Sequence, residues 1–254
     1  PTIFEYARRH LNIPATKTWF IGNGIMNSIP LLNYSLQENY GIEYGANFFA
    51  PNITFGNQGE AHLKNAKTFH PEEELDVIYR MKYFLNNVWM SSGKDILSIK
   101  NTEEEKQQIK DFISLLFEKK DQGDLIMPPV NDSSDLSNIG FTCEVLKEFE
   151  PTLTVVNMND VDVCHSSYTT YLRALHRADH AVGFIWDYIQ NEIPNMSGNT
   201  ILIAIPEHGR NLDPNPIMDE NNWYAYDHSD NNSQRVFGVM AGPGIDADRW
   251  VENQ

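Results

Sequence analysis

The sequence is poor in cysteine, in basic residues and in long apolar runs. Its 254 residues include two cysteines, Cys143 and Cys164, which form neither a disulfide framework nor a zinc-knuckle spacing. Lysine and arginine number 19 against 35 aspartates and glutamates, so the net charge is −16. Because phosphate backbones are bound by basic surfaces, this charge argues against a nucleic-acid partner. No stretch approaches the roughly 18 apolar residues of a transmembrane helix, so no membrane span is expected.

What the chain does have is enough apolar residues for a sizeable core. Hydrophobic residues make up 41% and aromatic residues 11% of the sequence, which suits one large domain or two small ones. The chain shows no signal peptide and begins at Pro1 without methionine, which suggests a processed or excised piece. "PTIFEYARRH" predicts a helix with Pro1 in its first turn and Ile3, Phe4 and Ala7 on one face, and residues 17–22 predict a short strand.

The middle of the chain predicts an irregular region followed by three helices. Residues 23–70 are rich in glycine, asparagine and proline, and their aromatic residues indicate that they are packed. Residues 71–90 predict the first helix. Residues 101–120 predict the second, with a capping box of Thr102 and Glu105 and with Lys119 and Lys120 at its end. Residues 132–150 predict the third.

The last hundred residues predict a βαβ unit. "TLTVVNM" (152–158), "TILIAI" (200–205) and "RVFGVMAGPGI" (235–245) read as buried strands, and a long helix fills residues 167–193. Strand, helix and strand at this spacing predict an α/β fold with a mostly parallel sheet flanked by helices on both faces. Ligands of such sheets bind at the carboxyl ends of the strands.

Acidic residues and histidines cluster at these strand ends. The three clusters are Asp160, Asp162 and His165; Glu207 and His208; and Asp227, His228 and Asp230. Mixed carboxylate and imidazole ligands bind zinc, manganese or iron. Each cluster alone is weak, because a single histidine at a strand end is more often a hydrogen-bonded loop residue. The remaining histidines, including the helical pair His176 and His180, are assigned to surface or packing roles.

Glu207 and His208 raise a geometric problem, because adjacent side chains at a strand end diverge. Both could serve one metal only if the chain turns there, and Gly209 permits such a turn.

These segments together resemble the alkaline phosphatase superfamily, in particular its sulfatase-like and phosphodiesterase-like hydrolases. The resemblance is carried by "HSS" (165–167), the helix "YTTYLRALHRADHAVGFIWDYI", the strand end "LIAIPEHGRN" and the His228 segment that runs into "VMAGPGI". "PTIFEYARRH" and "TWFIGNG" are similar to the helix and strand that follow the family's nucleophile. The resemblance implies a three-layer sandwich in a single domain, residues 1–254, with a lineage-specific insertion at about 24–150.

The resemblance also implies two metal ions and their ligands. One ion would be held by Asp162, His165 and His228, and the other by Glu207 and His208 together with an upstream aspartate and the nucleophile. Two positions depart from the family pattern. Glu207 stands where the family usually has aspartate, and Val161 stands where it has its first aspartate, so Asp162 is favoured and Asp160 is held in reserve.

The function implied is metal-dependent hydrolysis of phosphate or sulfate esters, on a small-molecule, glycan or lipid substrate. Zinc is the first choice of ion, with manganese, calcium and magnesium as alternatives, and Arg210 and Asn211 would contact the anionic oxygens. The nucleophile would lie upstream of Pro1, so this chain alone is expected to be inactive. A periplasmic or secreted location is favoured, and the oligomeric state stays open.

Two other functional classes compete with this interpretation. One is a non-catalytic metal-binding or recognition domain on the same fold. The other is a phosphotransferase or mutase, although residues 24–150 are short for the inserted domain of a mutase and lack a βαβ pattern.

Overall fold

The computed structural model describes residues 1–22, 35, 37–55 and 101–251. These residues divide into two compact units, Pro1–Asn159 and Asp160–Gln254, which are described separately. The predicted helix at 71–90 and the histidines His62 and His70 lie outside the described residues. The assignment of all 254 residues to a single domain stays a prediction.

A three-stranded parallel sheet forms the centre of the first unit. Its strands are β1 (Thr18–Ile21), β2 (Asn47–Phe49) and β3 (Leu153–Val156), in the order β2-β1-β3. Phe20 of β1 lies opposite Phe48 of β2 on one side and opposite Val155 of β3 on the other. The strands predicted at 17–22 and 152–158 are therefore confirmed, although β3 is half-buried rather than buried as expected. β2 was not predicted, because its three residues lie in a stretch whose glycines and asparagines indicate loop.

Four helices belong to the described part of this unit: α1 (Ile3–Leu11), α2 (Pro51–Thr54), α3 (Glu103–Gln122) and α4 (Ser134–Phe149). α1 begins at Ile3 and not at Pro1, which was predicted to lie in its first turn. Thr2 caps the helix in a capping box with Glu5, and Pro1 precedes this cap. Of the predicted face, Phe4 is buried but Ile3 is 63% exposed, and the other buried residues of α1 are Glu5 and Arg8. The arginine is buried because its guanidinium donates to the carbonyls of residues 43 and 45.

α3 and α4 match the second and third predicted helices. Thr102 and Glu105 form the expected capping box, and Gly123 ends α3 in the left-handed conformation with φ 77°. Both helices pack against β1 and β2 in a core of mixed aromatic and aliphatic residues. Its members are Ala15, Trp19, Ile21, Phe49, Ile109, Phe112, Ile113, Leu116, Phe141, Val145 and Phe149.

The second unit contains one long helix and a two-stranded sheet. α5 (Tyr168–Glu192) is capped by Ser167, whose side chain accepts a hydrogen bond from the Thr170 amide. β4 (Leu202–Ala204) and β5 (Val239–Ala241) pair with each other, with Ile203 opposite Met240. No helix among the described residues is long and apolar enough to cross a membrane.

The elements of the second unit were predicted, but the pairing of its strands was not. β4 and β5 run antiparallel, whereas a mostly parallel sheet was expected. β4 is also not the buried strand that five apolar residues suggest, since Ile201 and Ile203 are 53% and 55% exposed. An apolar run reports hydrophobicity alone, and it does not specify which strand pairs with it or whether both faces are covered. The described residues thus form a mixed α/β fold with a small parallel sheet, a two-stranded antiparallel sheet and helices.

Alanine substitutions at two helical glycines test the packing, because they are expected to change the free energy of unfolding in opposite directions. A Cβ on Gly140 in α4 would lie 2.4 Å from the carbonyl oxygen of Ile126, whereas a Cβ on Gly183 in α5 would meet nothing within 4 Å. We expect Gly140→Ala to lower the free energy of unfolding by about 1–3 kcal/mol through overpacking. Gly183→Ala, the matched control, is expected to raise it by about 0.5–1 kcal/mol through helix propensity. Urea unfolding followed by circular dichroism measures both, and equal effects would contradict the packing of α4 on residues 126–127.

Candidate metal centre

Three loops of the second unit carry the side chains that the sequence singles out. Asp162 lies in a short 3-10 helix, Asp160–His165, just before α5. His208 follows β4, and His228 lies on the loop that leads to β5. The 3-10 helix reaches α5 through a tight turn in which the amides of Ser166 and Ser167 both donate to the Val163 carbonyl. The turn leaves Asp162 in a fixed position ahead of α5.

Asp162, His208 and His228 converge on one point. Each offers one ligand atom, and these three atoms lie within 4.8 Å of one another. Asp162 Oδ1 is 3.6 Å from His208 Nε2 and 3.9 Å from His228 Nε2. The two imidazole rings stack with centroids 4.1 Å apart. Two histidines and a carboxylate, drawn from three separate loops, therefore face each other.

A hydrogen bond determines which nitrogen of His208 faces this point. His208 Nδ1 lies 2.9 Å from the carbonyl oxygen of Gly209. A carbonyl oxygen can only accept, so Nδ1 carries the hydrogen and donates it. The lone pair of a neutral imidazole is then on Nε2, the nitrogen that faces Asp162. Histidines that bind metals in proteins are typically oriented by such a bond on the other ring nitrogen.

The separations can be compared with those of a tetrahedral zinc site. Zinc bonds of 2.0–2.2 Å in tetrahedral geometry place ligand atoms about 3.4 Å apart. The two distances from Asp162 exceed this value by about half an ångström or less, and the third separation, between the two histidines, is at most 4.8 Å. Among the described residues this group has three members, the number of protein ligands typical of catalytic zinc sites, whereas structural zinc sites have four.

Arg210 borders the group. Its Nη1 donates to Asp162 Oδ1 at 3.2 Å and its Nη2 donates to the Val161 carbonyl at 2.8 Å. The guanidinium also lies over the ring of Tyr171, with 5.6 Å between Cζ and the ring centroid. These bonds use two of the five N–H donors of a guanidinium. Arg210 thus holds a positive charge beside the point where the three ligand atoms meet.

Two of the five predicted ligands lie outside this group. Glu207 is exposed on the turn after β4, and His165 is exposed with its Nδ1 directed to the backbone carbonyl of Asp162. Asp162 rather than Asp160 supplies the carboxylate, which fits the choice made from the sequence. The ligands of two separate ions were expected to include Asp162 and His208 in different sets. Here these two residues share one.

Cys164 and Gly209 support the group without belonging to it. Cys164 is buried, and burial raises the pKa of its thiol while the Arg210 charge lowers it. Gly209 is needed for space rather than for a left-handed turn, because a Cβ there would lie 2.4 Å from the carbonyl oxygen of Arg235. Its amide donates to the Ser233 carbonyl at 2.6 Å. The sequence suggests a turn at this glycine, but the close approach requires the folded chain.

Asn211 joins the His208 turn to the His228 loop. Its Oδ1 accepts from the amides of Ser229 and Asp230 at 2.7 and 2.9 Å, and its Nδ2 donates to Ser229 Oγ at 3.1 Å. Its own amide donates to the Asp227 carbonyl at 2.8 Å. These contacts occupy both ends of the side chain, so the geometry favours a positioning role over the anion contact that the sequence suggested.

Amide and carboxylate side chains brace the neighbouring loops in the same way. Asn232 Nδ2 donates to the Arg210 carbonyl at 2.8 Å, and Asn215 Nδ2 donates to the His165 carbonyl and to Asp227 Oδ1, both at 3.0 Å. Asp230 caps the 3-10 helix Asn231–Gln234 and also accepts from the Leu212 amide. Sequence reasoning missed these roles. The abundance of asparagine in residues 211–232 is a signal of loop bracing, but it does not name the partners.

Asp219 clamps the turn that follows. Its carboxylate accepts from the amides of Thr169, Asn221 and Trp223 at 2.7, 2.9 and 3.0 Å. Desolvation is the largest single influence and raises the pKa. The three amide hydrogen bonds and a fourth from the Thr169 side chain together outweigh it, and they lower the pKa of Asp219 from 3.8 to about 2. The carboxylate therefore ties the turn at 219–223 to the first turn of α5.

Comparison of the chain with protein-family models, with curated proteins and with solved structures found no significant match. The resemblance to the alkaline phosphatase superfamily accordingly rests on the residues quoted from the sequence.

The bracing by Asn211 predicts an effect on zinc affinity without loss of the fold. We expect Asn211→Ala to weaken zinc binding about 10-fold or more, the usual cost of losing an outer-shell partner. Asn211→Asp, which keeps the oxygen that accepts from the two amides, should restore most of the affinity. Isothermal titration with zinc measures both, with Asn191→Ala on α5 as a control. Equal zinc affinity in Asn211→Ala and wild type would contradict the positioning role.

The low pKa of Asp219 predicts a pH-dependent contribution to stability. A carboxyl group with a pKa depressed by folding stabilises the protein above its unfolded value of about 3.8, and this stabilisation is lost as the pH falls towards 2. Asp219→Asn should therefore lower the Tm at pH 7, and the difference from wild type should shrink between pH 4 and pH 2. Thermal unfolding at a series of pH values tests this, and a difference independent of pH would show that the ionised clamp is not responsible.

Proposed function

We propose that the chain is part of a metal-dependent hydrolase of phosphate or sulfate esters, in agreement with the resemblance to the alkaline phosphatase superfamily. Asp162, His208 and His228 would hold a divalent ion, with zinc the best fit to their chemistry and spacing. The supporting observation is the convergence of their three ligand atoms within 4.8 Å. A three-layer sandwich, finer than the mixed α/β fold described above, is part of the same proposal.

Arg210 adds the feature that favours ester hydrolysis over a purely structural metal. A structural zinc site is closed by four protein ligands, whereas the described residues bring together three, and a guanidinium contacts one of these at 3.2 Å. A guanidinium is suited to bind two oxygens of a phosphate or sulfate in a fork. The stacking of Arg210 on Tyr171 and its bond to the Val161 carbonyl would hold this fork in place.

The division of labour follows from these positions. A bound divalent ion would polarise the ester oxygens and lower the pKa of a bound water. His208, which the Gly209 carbonyl orients, and His228 would bind the ion at the point where their ligand atoms meet that of Asp162. Arg210 would orient the anionic group and offset the charge that builds up on its oxygens. The nucleophile is not assigned to any residue of this chain.

The first test is metal binding by the purified chain. We expect about one equivalent of zinc by mass spectrometry, and an affinity that falls at least about 100-fold in His208→Ala or His228→Ala, because each removes a direct ligand. His176→Ala, an exposed histidine of α5, is the matched control and should bind zinc as wild type does. His165→Ala distinguishes the observed group from the ligand set implied by the resemblance, and it should have little effect.

The second part of the test concerns the anion. The zinc-loaded chain should bind inorganic phosphate or sulfate in isothermal titration, and Arg210→Ala should weaken this binding about 10-fold or more while zinc stays bound. A chain that binds no zinc, or whose zinc affinity ignores both histidine substitutions, would contradict the metal centre. Zinc binding without anion binding would favour the alternative of a non-catalytic metal-binding domain.

A further inference from the structure

A row of aromatic side chains extends from the metal centre along the start of α5. Tyr171 and Tyr168 lie one turn apart on the helix with ring centroids 5.7 Å apart, and Trp223 follows Tyr168 at 6.2 Å. The ring of Tyr226 supports Tyr168 from the side, at 5.6 Å. We refer to Tyr171, Tyr168 and Trp223 as the aromatic row.

One end of the aromatic row touches the proposed site. Arg210 lies over the Tyr171 ring, and the same guanidinium donates to Asp162. Burial is the main cause that raises the pKa of Tyr171, and the Arg210 charge lowers it. A ligand whose anionic group is held at Arg210 would thus place the rest of its structure next to the rings of Tyr171 and Tyr168.

The other end is exposed on a rigid turn. Trp223 is 59% exposed, although a tryptophan side chain gains free energy when it is buried. Its backbone is fixed at both polar groups, since its amide donates to the Asp219 carboxylate and its carbonyl accepts from the Asp219 amide. A large apolar ring that is held in water by a fixed backbone is a feature of recognition surfaces, because little side-chain and loop freedom is lost on binding.

The surroundings of the row indicate what it binds. Polar side chains flank the rings, with Asn221 Nδ2 donating to Thr169 Oγ1 at 3.0 Å beside Trp223 and Tyr168. A sugar ring has an apolar C–H face that stacks on aromatic rings and a rim of hydroxyls that bond to amides and hydroxyls. Three rings in succession offer room for more than one sugar unit. The net charge of −16 disfavours ligands that carry many negative charges.

We propose that the aromatic row binds the sugar rings of an oligosaccharide whose single phosphate or sulfate ester reaches Arg210 and the metal centre. The proposal rests on the proposed function for the position of the ester. It adds the substrate class, a sparsely charged oligosaccharide, and it makes Trp223 a specificity-determining residue at the far end of the row.

The test compares matched variants on an array of oligosaccharides that are neutral, singly sulfated, singly phosphorylated or polysulfated. The zinc-loaded wild-type chain should bind singly esterified oligosaccharides in preference to the polysulfated ones. Trp223→Ala should bind them at least about fivefold more weakly, because a stacking partner is lost. Trp223→Phe keeps a ring and should retain most of the binding. Trp250→Ala removes a tryptophan that is 84% exposed and outside the row, and it should bind as wild type does.

Several outcomes would overturn the inference. These are no oligosaccharide binding by a zinc-loaded chain, equal binding by Trp223→Ala and wild type, or preference for polysulfated oligosaccharides. Equally tight, Trp223-dependent binding of the single-ring probes 4-nitrophenyl phosphate and 4-nitrophenyl sulfate would replace the oligosaccharide by a small aryl ester. Zinc content and circular dichroism of each sample distinguish these results from a chain that does not bind zinc and from a variant that is misfolded. Loss of zinc from the wild-type chain contradicts the proposed function, and an altered spectrum identifies a misfolded variant.

Discussion

The close backbone contact at Gly209 is the constraint on which the candidate site depends. The Gly209 amide donates to the Ser233 carbonyl, and a Cβ at this position would lie 2.4–3.3 Å from three carbonyl oxygens of residues 232–235. His208 and Arg210 flank this glycine, so the contact fixes both side chains at once. It also aligns Asn211 with Ser229 and Asp230, which places His228 next to His208. A side chain at position 209 would push the two loops apart and would separate the ligands before any of them was changed itself.

Much of the local structure could be predicted from the sequence, and the tertiary pairings could not. The capping box of Thr102 and Glu105, the long helix after Ser167 and the strands at 202–204 and 239–241 follow from local patterns. The antiparallel pairing of β4 with β5 and the strand β2 depend on contacts distant in sequence, on which hydrophobic periodicity carries no information. For the same reason the strand-end clusters indicated Asp162, His208 and His228, whereas their grouping around one point, without Glu207 and His165, required the folded loops.

Arg210 would allow this acidic chain to bind an anion. A chain with a net charge of −16 repels anions at long range, yet the proposed substrates are anions. Salt screens the long-range field over about 10 Å, whereas a guanidinium at hydrogen-bond distance acts locally and with directional bonds. Stacking on Tyr171 and bonding to the Val161 carbonyl keep Arg210 beside Asp162, so this carboxylate is its ion-pair partner. The site would therefore select ligands by contact rather than by attraction from a distance.

Because the pKa of Asp219 is low, the turn that carries Trp223 and the proposed metal ligands are expected to respond differently to a fall in pH. Because this carboxylate stays ionised down to a pH of about 2, the turn that carries Trp223 keeps its clamp in mildly acidic surroundings. Metal ligands must be deprotonated to bind, so a metal held by carboxylate and imidazole is released as the pH falls. In the proposed site, acidification would accordingly release the metal ion first and leave the proposed ring-binding surface in place. The chain could then retain the body of a ligand while it is unable to act on the ester.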